Sequence, residues 1–197
     1  MTDAGPQSEP GLPPGQRLAE DMPVTHYGPV PKYRPDTWRL VVNGATADGL
    51  EHHLDPEAFA ALARGRVVAD MHCVKRWTNR ANHWEGVLGL TLLEAVPPAP
   101  DVTHVMTWAE YGYSATVRLE DLADPQTLLA THLDGAELTP ERGFPLRLVL
   151  PHLYAWKGPK WLRGLEYLRG PRRGFWEERG YHVHGDPWQE QRYSYQE

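Results

Sequence analysis

A chain of 197 residues is long enough for one domain with a real core. Its net charge of −6 argues against broad nucleic-acid binding, and no apolar run approaches the ~18 residues of a membrane span. A single cysteine, Cys73, excludes an intramolecular disulfide and any zinc site built from several thiolates.

Residues 1–17 are polar and rich in Pro and Gly, and are expected to form a flexible tail before one domain spanning 18–197. No basic region, apolar stretch or twin-arginine pair marks an export signal, so a cytoplasmic location with a reduced thiol is expected. Residues 22–37 hold four prolines, which fix φ and remove backbone donors; they predict an extended, ordered arm. Residues 38–42 alternate and meet Asn43-Gly44, a turn signal after a strand. Asp55 is placed to cap a helix that starts at Pro56, with Phe59 and Leu62 on its apolar face and Gly65 expected to end it.

Residues 66–71 predict a short strand leading into His72 and Cys73, with polar loop beyond. Residues 84–93 fit either a helix or a strand. Residues 102–108 and 113–119 flank Glu110-Tyr111-Gly112 and predict a hairpin. A short, broken helix is expected within 119–129, and a turn at Asp134-Gly135. Residues 146–150 predict an apolar strand ended by Pro151, and 161–168 the last core strand. The tail from Gly170 is rich in arginine, aromatic residues and histidine.

The chemistry concentrates around Cys73. His72, Lys75 and Arg76 are potential cations that favour a thiolate. The competing reading is a buried cysteine acting as a small hydrophobe. His182, His184 and Asp186 offer metal-ligand types in a loop, or simply hydrogen-bonding histidines; no HExxH motif supports a metal. GxGxxG, Walker A and GxSxG motifs are absent. A strand opening on Arg147, then a Gly-Pro turn flanked by Lys157 and Lys160, suits an anion or phosphate; the alternative is a solvated turn.

Several segments, in order, resemble the small sulfite-oxidase-like molybdopterin oxidoreductases. They are Pro14-Gly15-Gln16, His26-Tyr27-Gly28-Pro29-Val30-Pro31 and Asp70-Met71-His72-Cys73-Val74-Lys75-Arg76-Trp77 with Trp84-Glu85-Gly86-Val87. Gly143-Phe144-Pro145-Leu146-Arg147, Lys157-Gly158-Pro159-Lys160-Trp161, Gly174-Phe175-Trp176-Glu177, Gly180-Tyr181-His182 and Gly185-Asp186-Pro187-Trp188 follow. The resemblance implies an α+β fold of mixed β-sheets, short helices and long ordered loops around a molybdenum–molybdopterin cofactor. One protein thiolate then suffices, because the cofactor supplies the other sulfurs.

By this resemblance Cys73 is the metal ligand and the catalytic residue. Arg147, Gly158, Pro159 and Lys160 would hold the pterin and its phosphate, and His26, Tyr27 and Gly28 would line its other side. His72 and Arg76, inside the ligand motif, are further implied cofactor contacts. Arg142 stands where relatives more often carry His or Asn. Trp108, or its neighbour Thr107, lies near a cofactor contact of larger relatives.

The implied activity is oxygen-atom transfer on a small sulfur- or nitrogen-oxide substrate. With no haem or flavin motif in the chain, a separate electron-transfer partner is expected. The dimerisation and haem domains of larger sulfite oxidases are not expected here, nor is nucleic-acid binding. Two alternatives stay open: a non-catalytic carrier of the cofactor, and a thiol enzyme with Cys73 as nucleophile and a histidine as base.

Overall fold

Short apolar runs broken by turns dictate short strands. The computed structural model describes residues 9–34 and 37–197. Strand β1 (Arg17–Leu18) precedes the arm, and residues 19–34 carry neither helix nor strand, as their prolines require. Pro35 and Asp36 lie outside the described residues. In β2 (Leu40–Gly44) burial alternates along the strand, and Leu40 and Val42 are fully buried. Asn43-Gly44 therefore closes this strand rather than following it. Strand β3 (His52–Leu54) pairs with β2 in antiparallel fashion.

Asp55 Oδ1 accepts the Ala58 amide at 2.8 Å and Pro56 opens helix α1 (Pro56–Ala60), as its capping residues predict. Gly65 does not end this helix. It belongs to β4 (Arg64–Cys73), which pairs along its length with β5 (Trp77–Leu88). The Leu88 side chain packs so near that a Cβ on Gly65 would sit 2.7 Å from it. The ambiguous 84–93 stretch is both things: the end of β5, then helix α2 (Gly89–Ala95). The expected hairpin is formed by β6 (His104–Ala109) and β7 (Ser114–Arg118). Helix α3 (Leu119–Leu122) follows. Strands β8 (Leu128–Leu133) and β9 (Ala136–Glu137) then turn at Asp134-Gly135, and β10 (Arg147–Val149) and β11 (Leu162–Leu168) complete the fold.

One sheet runs β1-β5-β8-β10, with β4 on β5 and β9 on β8; the other runs β3-β2-β11-β6-β7. Both are mixed: β1 lies parallel to β5, and β11 parallel to β2 but antiparallel to β6. Val87, Leu129 and Leu148 of the first sheet share a core with Leu40, Val105 and Leu165 of the second. Each such side chain contributes about 1.5–3 kcal/mol through burial. A smaller cluster of Met22, Met71, Cys73, Trp77, Trp84 and Val149 involves the first sheet and the arm. The α+β class with mixed sheets, short helices and long loops is the one expected.

The expected flexible tail needs correction over its described part. Leu12 and Gln16 are buried, and Arg17 and Leu18 pair with Trp77 and Thr78. Residues 1–8 of that tail lie outside the described residues. No helix among the described residues is long and apolar enough to cross a membrane.

Candidate active site

Strand periodicity decides what Cys73 can meet. Successive side chains on β4 point to opposite faces, so Met71 and Cys73 share one face and His72 takes the other. The chain then turns through Val74, Lys75 and Arg76 and returns as β5, with Cys73 opposite Trp77. The loop expected after Cys73 is thus a tight hairpin turn. A cavity of about 350 Å³ opens beside Met71, Cys73 and Trp77.

The same cavity is lined by Arg142, Arg147 and Lys160. Backbone pairing brings the last two together: Arg147 and Lys160 form an antiparallel bridge, and the Leu148 amide donates to the Pro159 carbonyl at 3.0 Å. Two glycines make the approach possible. Gly143 has φ +114°, and a Cβ there would lie 3.1 Å from the Cβ atoms of both Arg147 and Lys160. A Cβ on Gly158 would lie 2.3 Å from the Leu148 carbonyl oxygen.

The hydrogen bonds of Arg147 and Lys160 go to main-chain carbonyls, and the Glu141 carboxylate acts on Lys160 only through its charge. Arg147 Nη1 donates to the Arg142 carbonyl at 3.2 Å, and Lys160 Nζ to the Thr25 and Glu141 carbonyls at 2.8 and 2.7 Å. Buried Arg147 Nε has no partner among the described residues, and its guanidinium lies 5.1 Å from the centroid of the Trp84 ring. Burial and then Arg142 push Arg147 down to about 10. Burial, then Arg147 and Arg142, push Lys160 down to about 7. Crowded, partly desolvated cations with an unsatisfied donor are a site for an anion. A phosphate-bearing group with soft sulfur donors fits both this cradle and the lone thiol in the same cavity.

The depressed lysine gives a pH test. Its folded value lies below that of the free side chain, so without an anion Lys160 is charged below about pH 7 and neutral above it. Sulfate keeps a constant charge in this range. Its affinity for the cofactor-free protein should therefore fall as pH rises through about 7, measured by calorimetry, and Lys160→Met should flatten the dependence. The linked stability has the opposite trend: the cost of charging Lys160 is full below that pH and is relieved as pH rises toward the free-lysine value. Sulfate affinity unchanged across neutrality would contradict the assignment of Lys160 to this anion site.

The arm supplies part of the cavity wall. Lys160 holds the Thr25 carbonyl, the His26 ring meets Trp161 with centroids 5.6 Å apart, and Tyr27 packs on Phe175 at 4.6 Å. His26 and Tyr27 reach the cavity. Gly28 turns the arm at φ +74°, its carbonyl 2.9 Å from His26 Nδ1, and does not line the cavity. On the C-terminal side Tyr181 stacks on Trp176 at 5.1 Å and meets Trp156 edge-on at 5.3 Å, and all three rings face the space. The Tyr113 hydroxyl donates to the Trp156 carbonyl at 2.6 Å.

Other expected contacts are not brought to the cavity. His72 is buried on the far face, its Nδ1 2.9 Å from Thr78 Oγ1, and burial pushes it toward the neutral form. It therefore gives Cys73 no adjacent cation. Arg76 adopts φ 68° and turns outward to Glu190 at 3.3 Å. Trp108 packs over Gly164, where a Cβ would meet its ring at 2.3 Å, and Thr107 is buried with its hydroxyl donating to the Ala115 carbonyl. Lys157 is no solvated cation: it is fully buried, paired with Glu177 at 2.8 Å, and bonded to the Val183 and Thr116 carbonyls. Breaking such a pair costs about 3–5 kcal/mol.

The expected thiolate also needs correction. Burial pushes the Cys73 thiol up, against the opposing pull of the Lys75 amide and ammonium and of Arg192. The neighbours alone do not ionise it; a bound metal would, by displacing the proton. His182 serves as a hydrogen-bond acceptor, its Nδ1 taking the His184 and Gly185 amides at 3.0 and 3.2 Å. Among the described residues no group of three or more His, Cys, Asp or Glu could hold a metal ion.

The sequence alone singles out no role for Gln16, Trp176, Tyr181 or Arg192, although all but Arg192 lie inside quoted motifs. The Gln16 amide donates to the Cys73 carbonyl at 3.0 Å across 57 positions, a contact no local pattern announces.

Comparison with known proteins gives this geometry its context. Residues 27–176 match the oxidoreductase molybdopterin binding domain family. A protein called "Uncharacterized oxidoreductase YuiH" from Bacillus subtilis is 40% identical over 185 residues, 93% of this chain and 92% of that protein. The catalytic subunit MsrP of protein-methionine-sulfoxide reductase from Gluconobacter oxydans is 27% identical over 153 residues. That match takes in 69% of this chain but 48% of the MsrP chain, so the present chain spans about half of that relative. Among solved structures, the sulfane dehydrogenase SoxCD from Paracoccus pantotrophus superposes with a TM-score of 0.66 at 20% identity. It covers 74% of this chain and 41% of the other, a likeness of fold.

Proposed function

The chain belongs to the oxidoreductase molybdopterin binding domain family and is a molybdopterin-dependent oxidoreductase; on that premise we propose that it transfers an oxygen atom to or from a small organic sulfur or nitrogen oxide. The observation that carries the proposal is one cavity holding the lone thiol together with Arg147, whose Nε has no partner among the described residues, and Lys160, whose hydrogen bonds go to carbonyls. When bound, the molybdenum–pterin group supplies the redox centre at which oxygen is exchanged.

Cys73 would add one soft thiolate to the metal. Arg147, Arg142 and Lys160 would hold the anionic part of the cofactor, with Gly158 and Pro159 bringing the backbone close. His26 and Tyr27 would close the cavity from the arm. Trp156, Trp176 and Tyr181 would exclude water and orient the substrate. Electrons would come from a separate carrier; the name of MsrP as a catalytic subunit supports a divided arrangement of this kind.

The wall chemistry favours a neutral oxide over sulfite. With Arg142, Arg147 and Lys160 committed to the cofactor, Lys75 is the remaining lysine or arginine among the described lining residues. Met22, Met71, Trp77 and the aromatic rings supply most of the rest, a poor setting for a small dianion. The thiol-enzyme alternative loses His72 as its base, because that ring faces away, and would have to use His26 across the cavity. The carrier alternative differs only in turnover.

The test uses molybdenum-loaded protein with artificial electron carriers, which bypass the unknown partner. Reduced viologen should be oxidised in the presence of sulfoxides or N-oxides, faster than ferricyanide is reduced by sulfite. Loaded protein inert to every substrate would support the carrier, and turnover of sulfite alone would reject the substrate class.

A further inference from the structure

The turn carrying Cys73 is held from outside by two distant segments. Gln16 Nε2 donates to the Cys73 carbonyl at 3.0 Å. Arg192 Nη1 donates to the Val74 carbonyl at 2.6 Å, and its Nη2 to the Pro14 carbonyl at 3.2 Å. The Arg17 amide donates to the Arg76 carbonyl at 3.1 Å. Three carbonyls of the turn are thus tied to residues beyond the hairpin.

Gln16 and Arg192 are each only 2% exposed. Burying a guanidinium is costly, and the carboxylate beside Arg192, Glu190 at 3.2 Å, is itself 38% exposed. Much of the arginine's charge therefore remains directed at the turn and at Tyr154, whose ring centroid is 5.0 Å from the guanidinium carbon. The planar fork bonds the Val74 and Pro14 carbonyls at once, which a lysine could not do in the same geometry.

We propose that Arg192, with Gln16, is a positioning residue for the Cys73 sulfur. It fixes the backbone on which the sulfur meets the metal, and its charge tunes the metal's reduction potential. The proposal rests on Cys73 being the protein ligand, as set out above. A merely structural arginine would staple the C-terminal segment to the hairpin and leave the metal's electronic properties alone.

The experiment compares loaded wild-type protein with Arg192→Leu, Arg192→Lys and Gln16→Leu. It reads the paramagnetic spectrum of the partly reduced metal and a redox titration. Removing a nearby positive charge disfavours adding an electron, so Arg192→Leu should lower the potential and alter the spectrum. Arg192→Lys keeps the charge but loses the fork: its spectrum should change while its potential stays near wild type. Gln16→Leu, a neutral change, should alter the spectrum alone. In cofactor-free protein, amide exchange at Arg76 should quicken in both Arg192→Leu and Gln16→Leu.

Arg192→Leu with full molybdenum and the wild-type spectrum and potential would overturn the proposal. If that variant does not fold, an unchanged spectrum in Gln16→Leu does the same. Cys73→Ser is the control that separates the two readings. An unchanged spectrum there removes the ligand assignment itself, and the clamp with it. A changed spectrum there, beside an unchanged one in Arg192→Leu, sinks the clamp alone.

Discussion

Cys73→Ser is expected to abolish molybdenum-dependent turnover while leaving the protein folded. Cys73 sits among Met22, Met71, Trp77 and Trp84, where serine is close in size but adds a polar hydroxyl. The stability loss should stay within the ordinary range of about 0.5–3 kcal/mol. Catalysis should suffer far more, because a hard hydroxyl replaces the soft donor to the metal. Circular dichroism checks the fold, and the viologen assay checks turnover. A folded Cys73→Ser enzyme with wild-type rates would reject the thiol as ligand and return it to the role of a small buried hydrophobe.

The second large effect is expected at Arg147. Its guanidinium is buried against Trp84, its Nε has no partner among the described residues, and the like charges of Arg142 and Lys160 crowd it. An anion seated there gains a desolvated, charge-assisted contact. Truncating one partner of such a contact costs on the order of 2–5 kcal/mol. Arg147→Ala should therefore weaken cofactor retention by about thirty- to a few thousand-fold, at about 1.4 kcal/mol per tenfold. The readout is fluorescence of the pterin released and oxidised from purified protein. Relief of charge crowding should partly offset the packing lost beside Trp84, so the variant should still fold. Wild-type pterin content in folded Arg147→Ala would place the anion elsewhere.

Much of the fold was legible because local chemistry governs it. Asp55 and Pro56 start α1 where capping rules place them, and Glu110-Tyr111-Gly112 turns the β6–β7 hairpin. Gly65 misled because a glycine after a helical pattern reads as a stop. Its real constraint is Leu88, more than twenty positions away, packed against its α-carbon. The flexible tail misled for a similar reason. A polar, proline-rich segment reads as loose, yet Gln16 is anchored by a carbonyl in a distant turn.

The site divides the same way. Cys73, Arg147 and Lys160 stood out because motif and chemistry agreed. His72 and Arg76 were drawn in by closeness in sequence to Cys73, but strand alternation turns one away and a left-handed backbone turns out the other. Lys157 and Lys160 flank the same Gly-Pro pair and have opposite fates. Lys157 finds Glu177 in the interior, and Lys160 bonds the Thr25 and Glu141 carbonyls beside the cavity. Nothing in the sequence between residues 157 and 160 distinguishes them; the C-terminal segment that brings Glu177 does.

The central claim is that this cavity binds a molybdenum–pterin group through Cys73. X-ray absorption at the molybdenum edge, on protein purified from a molybdenum-replete host, tests it most directly. The account predicts bound molybdenum with a protein sulfur beyond those of the pterin, and loss of that sulfur contribution in Cys73→Ser. Wild-type protein purified without molybdenum, or a metal spectrum that Cys73→Ser leaves unchanged, would contradict it.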